Sequence, residues 1–287
     1  MISIVITNLN NYHELWFTIQ SVLSDIEEEY EIIISDNGSE KEELDAVRRM
    51  IDTMSEYHPI RLVVYDKIKS CPGIRTAGMV EAKGDLICFM DGHVILRKDY
   101  FKNTVPLFND PDVYVVYAPE IYNAEKLYEY TMDNQLKFEQ STSTWKPISE
   151  EPYPVLAACS ACTMVRKEIL NLFYPQDELD YIPYTMDEPN FAILSWMFGK
   201  KVLMNPKVAY AHRPWAYTPG GDCAYQDWRP LGAYALQGKE MFDKSYGFWK
   251  GNKELKLPEK HRDFIEKNAK VKFKDLREYL ITNGVKR

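Results

Sequence analysis

A chain of 287 residues, 45% hydrophobic and 27% charged, can bury one large α/β core with a small appendage, and no composition class other than a soluble globular protein fits it. Its formal net charge of −8 is uneven, because basic residues outnumber acidic ones from residue 239 onward while the preceding body is acidic. Met1 runs into Ile2, Ile4 and Ile6 without a basic leader, no apolar run reaches membrane-span length, and the odd count of five cysteines fits a reducing compartment, so a cytoplasmic protein without a membrane span is expected.

Ser3-Ile4-Val5-Ile6 reads as a β-branched strand that stops at the polar loop Thr7-Asn8-Leu9-Asn10-Asn11. Leu15, Ile19, Val22 and Leu23 then recur at helical spacing, which completes a first βα unit. Glu31 to Ser35 is the next strand, broken at Asp36-Asn37-Gly38-Ser39 before a charged helix from about Glu40 to Met54. Arg61 to Tyr65 is a third strand, Ser70-Cys71-Pro72-Gly73 a turn, residues 74–83 a helix containing Gly78, and Leu86 to Met90 a fourth strand. Strands alternating with helices predict a mostly parallel sheet with helices on both faces, the α/β class in which ligands bind beyond the carboxyl ends of strands. Asp36 and Asp91 both fall at such ends. Polar residues after strands also serve simply as turn formers.

Past Asp91 the pattern loosens. Val113 to Tyr117 is a strand, Lys126 to Phe138 reads as helical, and Val155 to Val165 as a strand of small residues. The latter holds Cys159-Ser160-Ala161-Cys162, whose CxxC spacing lacks a second pair and sits among small apolar neighbours, which favours a buried strand over redox or metal chemistry. Asp187-Glu188-Pro189 opens a helix closed by Gly199; Lys201 to Met204 and Lys207 to Tyr210 are short strands leading to His212. The segment Pro214 to Gly221, rich in Gly and aromatics, has the length of a mobile cover, and residues from about 231 onward look helical and charged. The expected organisation is therefore a catalytic domain over residues 1–230 and a helical, basic extension over residues 231–287.

The chemistry centres on Asp91-Gly92-His93. A carboxylate and an imidazole two apart after a strand can aim at one divalent ion, with Gly92 letting the backbone bend between them. His212, at another strand end, is a third ligand candidate; an ordinary loop or core imidazole is the competing reading for either histidine.

Taken together, these motifs resemble the nucleotide-sugar glycosyltransferases of the GT-A fold, within the larger family-2-like superfamily. Ser3 to Asn10 is similar to the opening strand of that group, and Ile34-Ser35-Asp36-Asn37-Gly38-Ser39 to its base-binding segment. Asp91-Gly92-His93 resembles the DxH form of its metal motif, which points to the catalytic domain of the polypeptide N-acetylgalactosaminyltransferases. Arg75 precedes Asp91 by sixteen residues, Gly78 and Gly84 fall in matching places, and Asp187 precedes His212 by twenty-five. Tyr217-Thr218-Pro219-Gly220-Gly221 looks like the start of that family's mobile loop. Two departures bear on the substrate: Tyr184-Thr185-Met186-Asp187-Glu188 replaces the usual WGGEN segment, and Ser160 and Ala161 stand where the family has Ala-Gly-Gly against the sugar.

The resemblance implies a GT-A catalytic domain transferring a hexose from a nucleoside diphosphate sugar, UDP-linked, to a hydroxyl acceptor. Asp91, His93 and His212 would hold Mn²⁺ or Mg²⁺ on the diphosphate. Thr7 and Asp36 would meet the base, Arg75 a phosphate or Asp91, and Gly92, Ser160, Ala161 and Tyr184 would line the donor. Asp187 and Glu188 would serve the sugar hydroxyls with retention, or Glu188 would act as general base in an inverting enzyme making a surface glycan; favourable charge in a first helical turn is their structural explanation. Trp215, Tyr217, Tyr225 and Trp228 are candidates for the acceptor side. A protein hydroxyl, a glycan and a hydroxymethylated base in DNA are all open as acceptor, the basic extension favouring a test on nucleic acid. A non-catalytic nucleotide-sugar or carbohydrate binding module is the remaining alternative.

Overall fold

The computed structural model describes residues 1–65, 71–122, 126–132, 141–144, 149–158, 160–173, 188–212, 267–272 and 275–285. Its centre is an eight-stranded sheet in the order β10-β12-β6-β11-β4-β1-β2-β3. The first half is built as the sequence predicts: β1 (Ile2–Asn8), β2 (Tyr30–Asp36), β3 (Ile60–Val64) and β4 (Leu86–Asp91) pair in parallel, with β1 between β2 and β4. Each of these strands alternates its side chains between two cores. Ile2, Ile4, Ile6, Ile32, Ile34, Cys88 and Met90 face one cluster; Val5, Ile33, Ile87 and Phe89 face the other. A continuous apolar run at the sequence level is thus a strand covered on both sides.

The covers are helices. α1 (Tyr12–Leu23) and α2 (Lys41–Met54) bring Leu15, Ile19 and Val22, and Val47, Met50, Ile51 and Met54, to the first cluster at the i, i+3, i+4, i+7 spacing of one helical face. α3 (Cys71–Glu81) supplies Met79 to the second. Of the turn expected at residues 70–73, Ser70 lies outside the described residues and Cys71 to Gly73 are instead the start of α3, since Pro72 in a first helical turn removes only an N–H that has no intrahelical acceptor. α4 (Tyr100–Thr104), absent from the sequence reading, is held at its N-terminus by Asp25, whose carboxylate accepts from the backbone N–H of Asp99 and Phe101.

The second half of the large sheet mixes directions. β6 (Val113–Tyr117) runs parallel to β12 (Lys201–Met204), while β11 (Cys162–Arg166) is antiparallel to both β4 and β6, and β10 (Tyr153–Pro154) to β12. The single strand expected over Val155 to Val165 is corrected here: Ala161 donates its backbone N–H to the Tyr210 hydroxyl at 3.0 Å, and Ser160 folds its hydroxyl onto the Cys162 backbone, so the ladder is interrupted until β11. Cys162 faces Cys88 across the sheet at 3.9 Å, both fully buried; Cys159 lies outside the described residues. α5 (Ile169–Phe173) follows, and α6 (Glu188–Met197) packs Phe191, Trp196 and Met197 into the second core, stopping at Gly199 with φ +73° as expected. α7 (Leu276–Thr282) adds Leu276 and Leu280 to that same core.

A second sheet of five strands, β5-β13-β7-β8-β9, was not read from the sequence. It comprises β5 (Val94–Leu96), β7 (Glu120–Tyr122), β8 (Lys126–Met132), β9 (Ser141–Thr144) and β13 (Tyr210–His212). Lys126 to Met132 is therefore strand where helix was expected; Tyr128, Tyr130 and Thr131 suit an antiparallel ladder with β7 and β9 better than a helix interior. Among the described residues, no helix is long and apolar enough to cross a membrane.

Candidate metal centre

The chain leaves the large sheet at the end of β4 and enters the small one at β5, and the crossing is Asp91-Gly92-His93. Asp91 is the last residue of β4 and lies beside Thr7 in the β1 register, where the Thr7 hydroxyl donates to its Oδ1 at 3.3 Å. The crossing is tight. A Cβ on Gly92 would sit 2.7 Å from the Thr7 carbonyl oxygen, and the Gly92 carbonyl is held by the Asn11 side-chain amide at 3.0 Å. Val94 then pairs with His212 in the antiparallel β5–β13 ladder, which brings the two imidazoles together.

The rings stack at 4.7 Å between centroids with 24° between planes, and the His93 and His212 Nε2 atoms lie 2.8 Å apart. Asp91 Oδ2 is 3.8 Å from the same His212 Nε2. One ligand atom from each of Asp91, His93 and His212 falls within 4.8 Å of the others, so three donors converge on one point. A carboxylate oxygen and two imidazole nitrogens form a hard-to-borderline set, which fits a divalent first-row ion such as Mn²⁺.

Charge around the point is arranged by burial and neighbours. Arg75, from α3 and only 6% exposed, places Nη2 2.6 Å from Asp91 Oδ1. Burial of the Asp91 carboxyl opposes its ionisation, but the charges of Arg75, His93 and His212 outweigh this and hold its pKa below the usual carboxylate range. Burial pushes the His93 pKa down to about 4 against the pull of Asp91, so at neutral pH this imidazole is uncharged. His212 goes the other way: burial disfavours its cation, yet Glu120 and Asp91 prevail and the pKa is raised.

Ser160 and Ala161 adjoin the centre, because the Ala161 carbonyl accepts the Asp91 backbone N–H at 2.9 Å. Thr7, Arg75, Asp91, Gly92, His93, Ser160, Ala161 and His212 are thus brought to one place from five regions of the chain. Glu188 is the first residue of α6. Tyr184, Asp187, the aromatic segment 214–221 with Tyr225 and Trp228, and most of residues 231–287 lie outside the described residues.

Asp36 ends β2 and organises the loop that follows it. It is fully buried, and its carboxylate accepts from the backbone N–H of Gly38 and Ser39 through Oδ1 and from the Asn8 amide and the Ser39 hydroxyl through Oδ2. Four donors meet the carboxylate, which is the hydrogen bonding that the turn-forming reading of Asp36 calls for. Sequence reasoning missed Asn8, Asn11, Tyr210 and Glu120. Glu120 alone carried a usable signal, being an acid just past the strand Val113 to Tyr117.

The family model described as glycosyl transferase family 2 matches residues 3–173. An uncharacterized glycosyltransferase of Nostoc sp. (strain PCC 7120) is 25% identical over 190 residues, which cover 63% of this chain and 55% of that protein. Among solved structures, GalNAc-T7 with UDP, GalNAc and Mn²⁺ superposes with a TM-score of 0.71 over 97% of this chain and 56% of its own, at 16% identity. The mannosyltransferase PcManGT from Pyrobaculum calidifontis, in complex with GDP-Man and Mn²⁺, gives 0.56 over 98% of this chain and 85% of its own, at 14% identity. The chain spans little more than half the length of the Nostoc relative and of the GalNAc-T7 chain. At these identities the structural likeness speaks to the fold, which is GT-A.

Proposed function

The chain belongs to glycosyl transferase family 2, and on that premise we propose that it transfers a hexose from a UDP-linked sugar to a hydroxyl acceptor with the help of Mn²⁺ or Mg²⁺. The observation that carries this reading is the convergence of Asp91, His93 and His212 beyond the carboxyl end of β4, where ligands of an open α/β sheet bind. These three side chains would hold the ion, and when bound it would supply Lewis-acid neutralisation of charge on the departing diphosphate. That the solved structure of GalNAc-T7 holds UDP, GalNAc and Mn²⁺, and that of PcManGT GDP-Man and Mn²⁺, supports the same choice of ligands.

The protein's own groups have separable tasks. Arg75 keeps Asp91 ionised and fixed, and a planar guanidinium fork suits a carboxylate or a phosphate alike. The Thr7 hydroxyl donates to the same oxygen, Oδ1, that Arg75 holds. Ser160 and Ala161, beside Asp91, would border the sugar, and Glu188, the first residue of α6, would serve its hydroxyls; Tyr184 and Asp187 are candidates from the sequence alone. In the retaining course, the bond from C1 to the diphosphate oxygen breaks, the acceptor oxygen bonds C1 on the same face, and the acceptor proton passes to the leaving diphosphate. A second reading, inversion with Glu188 as the base that takes this proton, is favoured by the position of Glu188 as first residue of α6 and by membership of family 2.

The test is turnover of a nucleotide-sugar panel with protein, glycan and hydroxymethylated-DNA acceptors, read by mass spectrometry with Mn²⁺ and with excess EDTA. Transfer that depends on the ion is expected; full activity in EDTA overturns the metal role. NMR of the product anomer separates retention from inversion, and absence of DNA binding even at low salt removes the DNA acceptor.

A further inference from the structure

The two nitrogens of His212 face different carboxylates. Nε2 looks towards Asp91 and His93, whereas Nδ1 lies 3.6 Å from Oε1 of Glu120. Glu120 is the first residue of β7, the strand that pairs in parallel with β13, and Tyr210 and Glu120 are register partners in that ladder. Its side chain is 12% exposed. A carboxylate that deeply covered needs a compensating partner, and among the described residues the basic group within ion-pair reach of it is His212. The imidazole stands between Glu120 and the metal point, so Glu120 belongs to none of the three converging ligands.

Nothing in the reaction proposed above uses Glu120, yet the arrangement has a direct consequence for the ring. An imidazole binds a metal through an unprotonated nitrogen, and the proton then sits on the other nitrogen. With a carboxylate at Nδ1, the proton is drawn there and Nε2 is left with its lone pair towards Asp91 and His93. Ring rotation by half a turn would set Nδ1 towards the metal point and lose the Glu120 contact. We infer that Glu120 is a positioning residue for the metal centre: its carboxylate, at ion-pair distance from Nδ1 of His212, favours the proton on that nitrogen and so fixes the tautomer and orientation in which Nε2 serves as ligand.

The inference rests on the metal reading, and the experiment keeps the two apart. Mn²⁺ is titrated into the full-length protein without donor or acceptor and free Mn²⁺ is read by electron paramagnetic resonance, for wild type, Glu120→Gln, Glu120→Ala and His212→Ala. Loss of a partner behind a ligating imidazole typically lowers metal affinity about 10- to 100-fold, so Glu120→Ala is expected to fall in that range. Glu120→Gln keeps an acceptor of the same length and is expected to retain more affinity than Glu120→Ala. The metal-free melting temperature is recorded alongside, since a purely structural glutamate would move that and leave affinity in the folded fraction unchanged. Wild-type Mn²⁺ affinity in both Glu120 variants, with His212→Ala impaired, overturns the role of Glu120 and leaves the metal centre standing. No saturable Mn²⁺ binding by wild type overturns both.

Discussion

Asp36 and Asp91 each end a parallel strand beside β1, and their carboxylates have different uses because their neighbours differ. Asp36 is filled by four donors within the loop it organises, so its removal should cost stability first. Asp36→Ala would leave the Asn8 amide and two backbone N–H groups without their acceptor in a buried place, a loss on the order of 2–4 kcal/mol in urea unfolding. An accessible base-contacting Asp would instead weaken donor binding at nearly unchanged stability. Among the described residues Asp91 has one close guanidinium, Arg75 at 2.6 Å, and its other oxygen faces His212 at 3.8 Å. Arg75→Ala should destabilise by about 3 kcal/mol, since it strands a mostly buried carboxylate, and a double-mutant cycle with Asp91→Asn should return a coupling above about 1 kcal/mol. Additive effects in that cycle would mean that Asp91 is held by something else. From sequence, both residues read alike as acids after a strand, because what distinguishes them is contributed by Asn8, Ser39 and Arg75, whose approach depends on the folded sheet.

At the scale of elements, the parts that sequence made legible are those with one strong periodicity. β1 and β2 carry β-branched runs and β4 an apolar one, all covered on both faces, and α1 and α2 carry single apolar stripes; the three strands and α2 were placed within a residue or two, and α1 by its apolar positions. Gly78 was visible too, as a glycine inside a helix, and its reason is now physical. α3 lies so close to β1 and β2 that a Cβ at Gly78 would come 2.4 Å from Val5 Cγ1 and 3.1 Å from Ser35 Oγ. Alanine would gain up to about 1 kcal/mol of helix propensity, but overpacking against two central strands costs about 1–3 kcal/mol. Gly78→Ala should therefore lower the unfolding free energy by about 1–2 kcal/mol; an increase would mean that α3 can move away from the sheet freely. The five-stranded sheet was illegible for the opposite reason. β5, β7 and β13 are three residues each, too short for a period to emerge, and β8 resembles a charged helix until its antiparallel partners are known.

For the whole molecule, the telling feature is how the chain passes between its two sheets. The passages β4 to β5, β6 to β7 and β12 to β13 each leave the large sheet and enter the small one, and Asp91-Gly92-His93, Glu120 and His212 lie on or next to them. The proposed ion would consequently join Asp91 of the large sheet to His212 of the small one, at a seam where the backbone is continuous but the hydrogen-bond ladders are not. Binding to the folded state alone stabilises it by RT ln(1 + [L]/Kd), about 2.7 kcal/mol at a hundredfold excess over Kd. For a chain of this size that corresponds to a rise in melting temperature on the order of 5–10 °C. Mn²⁺ should produce that rise, EDTA should reverse it, and His212→Ala should abolish it, whereas Mn²⁺ at the same concentration should leave the variant's own melting temperature in place. An equal Mn²⁺ effect on wild type and His212→Ala would put the stabilising ion elsewhere on the acidic body. If the shift behaves as expected, holding the donor and bracing the seam are one event, because the side chains that would hold the ion come from both sheets.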